Sequence, residues 1–403
     1  MIFHPALNCS ATHRPPNPIS RLAGARSSRL LALIFALFAT QAAEATAPPI
    51  PPPPIVEARS YLLEDFDSGR ILVDHNMDER MEPASLTKLM TAYIVFTELK
   101  DGRINLTDEV TISKKAWRTG GSKMFIEVNS RVSVENLLKG MIIQSGNDAS
   151  IALAEYAAGS EDAFASLMNQ YAERLGMTHS HFVNATGLPD ANHYTTAHDL
   201  GILARALIHD YPDHYAWYSQ HKFRYNGIEQ YNRNKLLWRD PSVDGMKTGH
   251  TESAGYCLVA SAKQGEMRLI SVVLGTKSED ARANESRKLL NYGFRFYETH
   301  KLYAAGQSIT SPQVWKGAAQ SVPVGLKSDL YVTIPHQQYQ NLKASMNIAT
   351  PLIAPITKDA QLGNMKVSLD GNAVAERPLF ALQNVTEGSL SDRLIDEIKL
   401  MFQ

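Results

Sequence analysis

A length of 403 residues allows two domains, each large enough to hold a core of its own. A net charge of −1 excludes the basic excess with which a phosphate-binding protein holds nucleic acid, so no nucleic-acid partner is expected. With cysteine only at Cys9 and Cys257, a disulfide scaffold is excluded as well.

Residues 1–45 read as a signal peptide rather than as part of the fold. Arg14, Arg21, Arg26 and Arg29 precede an apolar stretch from Leu30 to Ala39, and Ala43-Glu44-Ala45 supplies the small-x-small pattern of a cleavage site. The apolar stretch is shorter than the roughly 20 residues that span a bilayer, so export is expected rather than a retained anchor. Removing this segment leaves 36 basic and 40 acidic residues, a net charge near −4. Residues 46–57 carry Pro48, Pro49, Pro51, Pro52, Pro53 and Pro54 and read as a semi-stiff linker.

Beyond the linker, Tyr61-Leu62-Leu63 and Ile71-Leu72-Val73 flank Asp67-Ser68-Gly69 and predict a hairpin. The run from Leu89 to Phe96 predicts a helix entered at about Ser85 and buried on most sides, ending near Gly102. From Leu106 to Val128 the pattern predicts loop with brief strands. Ser133 is a plausible N-cap for a helix through Ile142 that stops at Gln144-Ser145-Gly146-Asn147. A second helix runs from Asp148 to Gly159, a third follows the Ser160 cap to Gly176, and a fourth opens at Thr196.

After Phe223 the period changes to two. Asn226-Gly227 marks a hairpin turn, and Tyr256 to Ala262 and Leu269 to Leu274 predict adjacent antiparallel strands, with Cys257 a buried strand residue. A helix from about Ser278 to Tyr297 is available to cover the sheet. Short apolar runs and turns from 302 to 385 predict a separate small all-β domain. Residues 389–403 place Leu390, Leu394, Ile395, Ile398, Met401 and Phe402 at helical spacing. That amphipathic tail fits either an in-plane membrane anchor or a helix packed on its own domain. The fold class is therefore α+β, a helix-packed antiparallel sheet followed by the all-β domain and the tail helix.

Three polar motifs interrupt these apolar stretches: Ser85-Leu86-Thr87-Lys88 at a helix start, Ser145-Gly146-Asn147 in a helix break, and Lys247-Thr248-Gly249 leading into a strand region. Alone, each reads equally as a cap, a break or a turn. Together they suit acyl transfer. A serine hydroxyl needs a base beside it, and Lys88, one turn from Ser85, serves if burial, a helix N-terminus and the charge of Lys247 keep it neutral. Ser145 offers a proton relay, and Asn147 an amide for the substrate backbone or for Lys88. Lys247 and Thr248 supply donors for a carboxylate, while Gly249 leaves room for a substrate strand along the sheet edge. The backbone N–H groups of Ser85 and His250 would form an oxyanion hole.

This motif set resembles that of the penicillin-binding proteins and serine β-lactamases. With Lys247-Thr248-Gly249-His250-Thr251, Gln144-Ser145-Gly146-Asn147-Asp148-Ala149 and Asn232-Arg233-Asn234, the chain is most similar to the low-molecular-mass D-alanyl-D-alanine carboxypeptidases. The resemblance implies a transpeptidase/β-lactamase-like domain at 58–299 and a serine acyl-enzyme. It makes Ser85, Lys88, Ser145 and Asn147 catalytic, and has Lys247, Thr248, Gly249, His250 and Arg282 bind substrate. It implies peptidoglycan stem peptides and β-lactam antibiotics as partners, the periplasm as the location, and contact with the inner-membrane surface through the tail. The tail is shorter and more acidic than the family's anchors. No cofactor or metal is implied: His179, His181, His193 and His198 lie near one another in sequence but form no H-E-x-x-H.

Three rivals share the motifs. A β-lactamase that holds its water on a glutamate would carry E-x-x-L-N between Asn147 and Lys247, and no such segment occurs. A DD-endopeptidase is barely distinguished, though the appended β-domain favours the carboxypeptidase. A catalytically idle wall scaffold would keep the motifs without the geometry.

Overall fold

The computed structural model describes residues 50–402; the expected signal peptide lies outside the described residues. A five-stranded antiparallel sheet runs in the order Ile71–His75, Ser60–Asp65, Met267–Thr276, Gly255–Gln264, Val243–Thr251. Helices cover both faces, which is why its strands are so apolar. Alternate residues serve different cores: Leu62, Cys257, Val259, Ile270 and Val272 face the helical block, while Leu63, Leu258, Ala260, Leu269 and Val273 face the Glu279–Phe296 helix. Cys257 is fully buried in its strand, and burial pushes its thiol up to about 11.

The Lys88–Lys100 helix crosses the centre of the helical block, and every residue from Lys88 to Phe96 is buried. Phe96 alone is worth about 3–5 kcal/mol against alanine at such a position. Hydroxyl caps start its neighbours, at Ser133 and Ser160 as the sequence predicts and at the expected helix starts Thr196 and Ser278 as well. Ser133, Ser160, Thr196 and Ser278 each accept a backbone N–H at the start of the Val134–Ile143, Glu161–Leu175, Ala197–Asp210 and Glu279–Phe296 helices. The segment predicted as loop with brief strands also holds a short helix, Lys114–Arg118, capped by Ser113.

The Tyr297–Tyr303 strand pairs with Leu330–Pro335 and leads into the all-β region, where Val332, Ile334, Met365, Val367, Leu379 and Ala381 form an independent core. Polar contacts tie this region to the first hairpin: Ser68 Oγ lies 2.6 Å from Thr333 Oγ1, and Thr299 Oγ1 donates to Asp65 Oδ2 at 2.7 Å. The tail helix, Leu390–Leu400, begins in a capping box between Ser389 and Asp392. It touches the β-domain through polar groups, with Asp396 accepting the Lys316 N–H at 2.7 Å and Glu397 paired with the Lys316 ammonium. Its apolar row does not pack on the domain: Leu390, Leu394, Ile395, Ile398, Met401 and Phe402 are all exposed.

Candidate active site

The chain enters the central helix through a single 3₁₀ turn, Ala84–Thr87, rather than through an α-turn at Ser85. Ala84 has φ 47°, a left-handed conformation held by close neighbours on both sides. A Cβ on Gly187 would lie 1.7 Å from the Ala84 carbonyl oxygen, and one on Gly249 would lie 3.0 Å from that of Pro83. The lack of a side chain at Gly249 therefore also serves close packing against the Ser85 turn, beside the expected role of leaving room for a substrate strand. The Ser85 hydroxyl caps no helix and faces Lys88.

Lys88 is 1% exposed, and its three donors are all engaged. Nζ reaches Ser85 Oγ at 3.0 Å, Asn147 Oδ1 at 2.7 Å and the Thr186 carbonyl at 2.6 Å. Asn147 is oriented in turn by donating from Nδ2 to the Gly120 carbonyl at 2.7 Å. Ser145, at φ 66° in the break before the Asn147–Ala158 helix, accepts from Lys247 Nζ at 2.8 Å. Lys247 and Thr248 lie on Val243–Thr251, the edge strand of the sheet, so a free backbone edge borders the site. Arg282 is buried rather than a solvated helix residue, and donates to the Gly249 carbonyl at 3.2 Å. His250 is exposed and stacks on Tyr256 with ring centroids 4.0 Å apart. Ser85, Ser145, Asn147, Thr248, Gly249, His250 and Arg282 all line one cleft of about 450 Å³.

Burial pulls the Lys88 ammonium down to about 7, with Arg233 adding to the effect and Asp148 opposing it. Arg233 therefore joins Lys247, whose repulsion with Lys88 is mutual, as a cation that disfavours the charged form of the base. Lys247 is itself held well below the ordinary lysine range, by burial first and then by Lys88, Arg233 and Arg282. Cations gathered at one end of a cleft favour an anion there, since each added negative charge relieves their repulsion. A nucleophile with a neutral amine beside it, facing a carboxylate seat, is equipped to cleave a peptide next to its free C-terminus.

Residues 44–278 match the peptidase S11 family described as D-alanyl-D-alanine carboxypeptidase, and residues 297–387 match the penicillin-binding protein 5 C-terminal domain. The chain belongs to the D-alanyl-D-alanine carboxypeptidase family. Among similar members of that family, the D-alanyl-D-alanine carboxypeptidase DacC of Escherichia coli K12 is 47% identical over 357 residues, which are 87% of this chain and 89% of that relative. The crystal structure of penicillin-binding protein 5 from Haemophilus influenzae is 43% identical, with a TM-score of 0.81 over 84% of this chain and 100% of that one. The ampicillin-bound penicillin-binding protein D2 of Listeria monocytogenes is 30% identical, with a TM-score of 0.56 over 60% of this chain and all of that one. The α+β class and the family likeness expected from the motifs both hold.

Sequence reasoning passed over several residues that build this carboxypeptidase-family site. Asn184-Ala185-Thr186 spells a glycosylation sequon, a pattern common by chance that carries no structural signal. Asn184 Oδ1 in fact accepts from the N–H groups of Thr186 and Gly187, at 3.1 and 2.7 Å, and so shapes the turn that presents the Thr186 carbonyl to Lys88. Asp148, 1% exposed, accepts the Met124 and Phe125 N–H groups and fixes the loop beside Asn147. Arg233 stood within a quoted motif without a role; it lines the cleft and donates to the Gln144 carbonyl at 3.2 Å. His193 lies with Nε2 2.8 Å from Thr87 Oγ1, behind the nucleophile turn.

Proposed function

We infer that this chain is a serine-type carboxypeptidase that removes the terminal D-alanine from peptidoglycan stem peptides through an acyl-enzyme on Ser85. The observation that carries the reading is the 3.0 Å contact from Ser85 Oγ to a lysine amine that burial holds near 7. In this mechanism Ser85 Oγ attacks the carbonyl carbon of the penultimate D-alanine, and its proton passes to neutral Lys88. The backbone N–H groups of Ser85 and His250 receive the oxyanion, at about 3 kcal/mol per donor. The C–N bond breaks as Ser145 hands a proton to the departing amine, with Lys247 behind it at 2.8 Å. Lys247, Thr248 and Arg282 hold the leaving carboxylate. The proton that Ser145 gives up is restored at the expense of the one Lys88 took from Ser85. Water then attacks the ester; neutral Lys88 accepts a proton from it and passes that proton to the departing Ser85 oxygen.

β-Lactams enter the same scheme as acylating agents, a reading supported by the ampicillin-bound relative. The mature chain is assigned to the periplasm, peripheral on the outer face of the inner membrane. Supporting this are the leader pattern and the exposed apolar row of the tail helix. Among the described residues no helix is long and apolar enough to cross a membrane. The deciding experiment incubates the mature chain with a pentapeptide ending in D-Ala-D-Ala. Release of one D-alanine per peptide is expected, and a folded chain that binds penicillin yet releases none would be a scaffold. Co-sedimentation with anionic vesicles, lost on deleting residues 389–403, tests the membrane contact.

A further inference from the structure

The cleft does not end at its cation seat. Arg233 and Glu279 form a lip shared with a second groove of about 440 Å³, walled by Phe125, Ile228, Gln230 and Tyr231. Its apolar walls are exposed: Phe125 is 52%, Ile228 40% and Tyr231 59% accessible. Phe125 is held there at φ 67°, a conformation unfavourable for a bulky residue, with its N–H donated to buried Asp148 at 3.0 Å. The carboxylates at the rim are already paired, Glu229 with Lys222 at 3.0 Å and Glu279 with Lys235 at 3.2 Å, while Arg233 at the lip donates to the Gln144 carbonyl. Gln230 is 5% exposed, and its Oε1 has no hydrogen-bond partner among the described residues.

We propose that this groove receives the side chain of the leaving residue, so that the enzyme also releases terminal D-amino acids with apolar side chains larger than that of alanine. The inference rests on the carboxypeptidase reading above. A terminal residue whose carboxylate is held by Lys247, Thr248 and Arg282 carries its side chain on the adjacent carbon, two bonds from the carboxylate carbon, and so starts it toward the lip that Arg233 and Glu279 share between the two spaces. The methyl group of D-alanine stops there. A leucine or phenylalanine side chain continues into the groove, where the paired rim carboxylates leave apolar walls as its main contacts.

The test measures kcat/KM for release of the terminal residue from three pentapeptides, ending in D-Ala-D-Ala, D-Ala-D-Leu and D-Ala-D-Phe. The wild-type chain is compared with an Ile228→Ala/Tyr231→Ala double variant, whose changes lie on an exposed hairpin outside the catalytic residues. Release of D-leucine and D-phenylalanine within about tenfold of D-alanine is expected from the wild type. In the double variant D-phenylalanine release falls about tenfold while D-alanine release is unchanged, the usual scale for apolar pocket contacts. Labelled penicillin reports that the variant is folded. Undetectable release of the larger residues by a chain that releases D-alanine overturns the proposal and leaves the carboxypeptidase reading intact, as does an equal loss on all three peptides in the variant. Failure to release D-alanine at all defeats that reading, and the proposal with it.

Discussion

The pH dependence of acylation reads the state of Lys88 directly. A fall from the ordinary lysine value of 10.5 to about 7 corresponds to about 5 kcal/mol against the charged form. At pH 7 about half of the molecules then carry a neutral amine beside Ser85, against about one in 3,000 for an unperturbed lysine. The second-order rate of labelling by a fluorescent penicillin, measured from pH 5.5 to 9, is expected to rise about tenfold per pH unit below 7 and to level off above it. Arg233→Gln removes the cation that helps suppress the Lys88 ammonium, so the rising limb moves to higher pH. The shift is less than one unit, because a single exposed charge at the lip of an open cleft contributes on the order of 1 kcal/mol. Labelling slows more at pH 6.5 than at pH 9, where only the loss of a cleft cation remains. A flat profile, or a limb that moves to lower pH in Arg233→Gln, refutes the assignment of Lys88 as the base.

Two further predictions concern stability and the shape of the nucleophile turn. Burial raises the Glu64 carboxyl from 4.5 to about 7 against the opposing pull of Arg205 and His198, and its Oε1 has no partner among the described residues. Stability from this group is complete below about pH 4.5 and is lost as pH rises through 7, a total of about 3 kcal/mol. Glu64→Gln should therefore gain up to that amount over wild type between pH 4.5 and pH 8 in chemical denaturation, and a constant difference would count against it. Gly159 and Gly187 have φ of 78° and 82°, but only Gly187 has atoms close to its missing Cβ. Gly159→Ala should cost about 1 kcal/mol through backbone strain alone. Gly187→Ala should cost about 2 kcal/mol more and slow penicillin labelling at least tenfold, and equal effects of the two would deny the packing of Gly187 on the Ser85 turn.

Features set by neighbours in sequence were readable from the chain alone. The caps at Ser133, Ser160, Thr196 and Ser278 depend on a hydroxyl and the three residues that follow it, and each lies where the pattern indicated. The break at Ser145-Gly146-Asn147 was equally legible, because polar residues interrupt an apolar period there. The Lys114–Arg118 helix was missed because five residues are too few to establish a period. Contacts across the fold left no local trace. The Thr186 carbonyl that completes the Lys88 shell comes from 98 residues away, on a turn whose sequence also spells a sequon. The packing of Gly249 on the Ser85 turn is hidden for a similar reason, since that turn lies more than 150 residues earlier in the chain. Arg233 stands in a motif that marks the family resemblance, but its influence on two buried lysines exists only after folding.

The central claim is that one hydroxyl, Ser85 Oγ, becomes acylated. Intact-protein mass spectrometry followed by peptide mapping after incubation with benzylpenicillin tests it most directly. One adduct of penicillin mass on the peptide containing Ser85 is expected, with none in Ser85→Ala. An adduct that survives in Ser85→Ala, or that maps to Ser145 in the wild-type chain, contradicts the account.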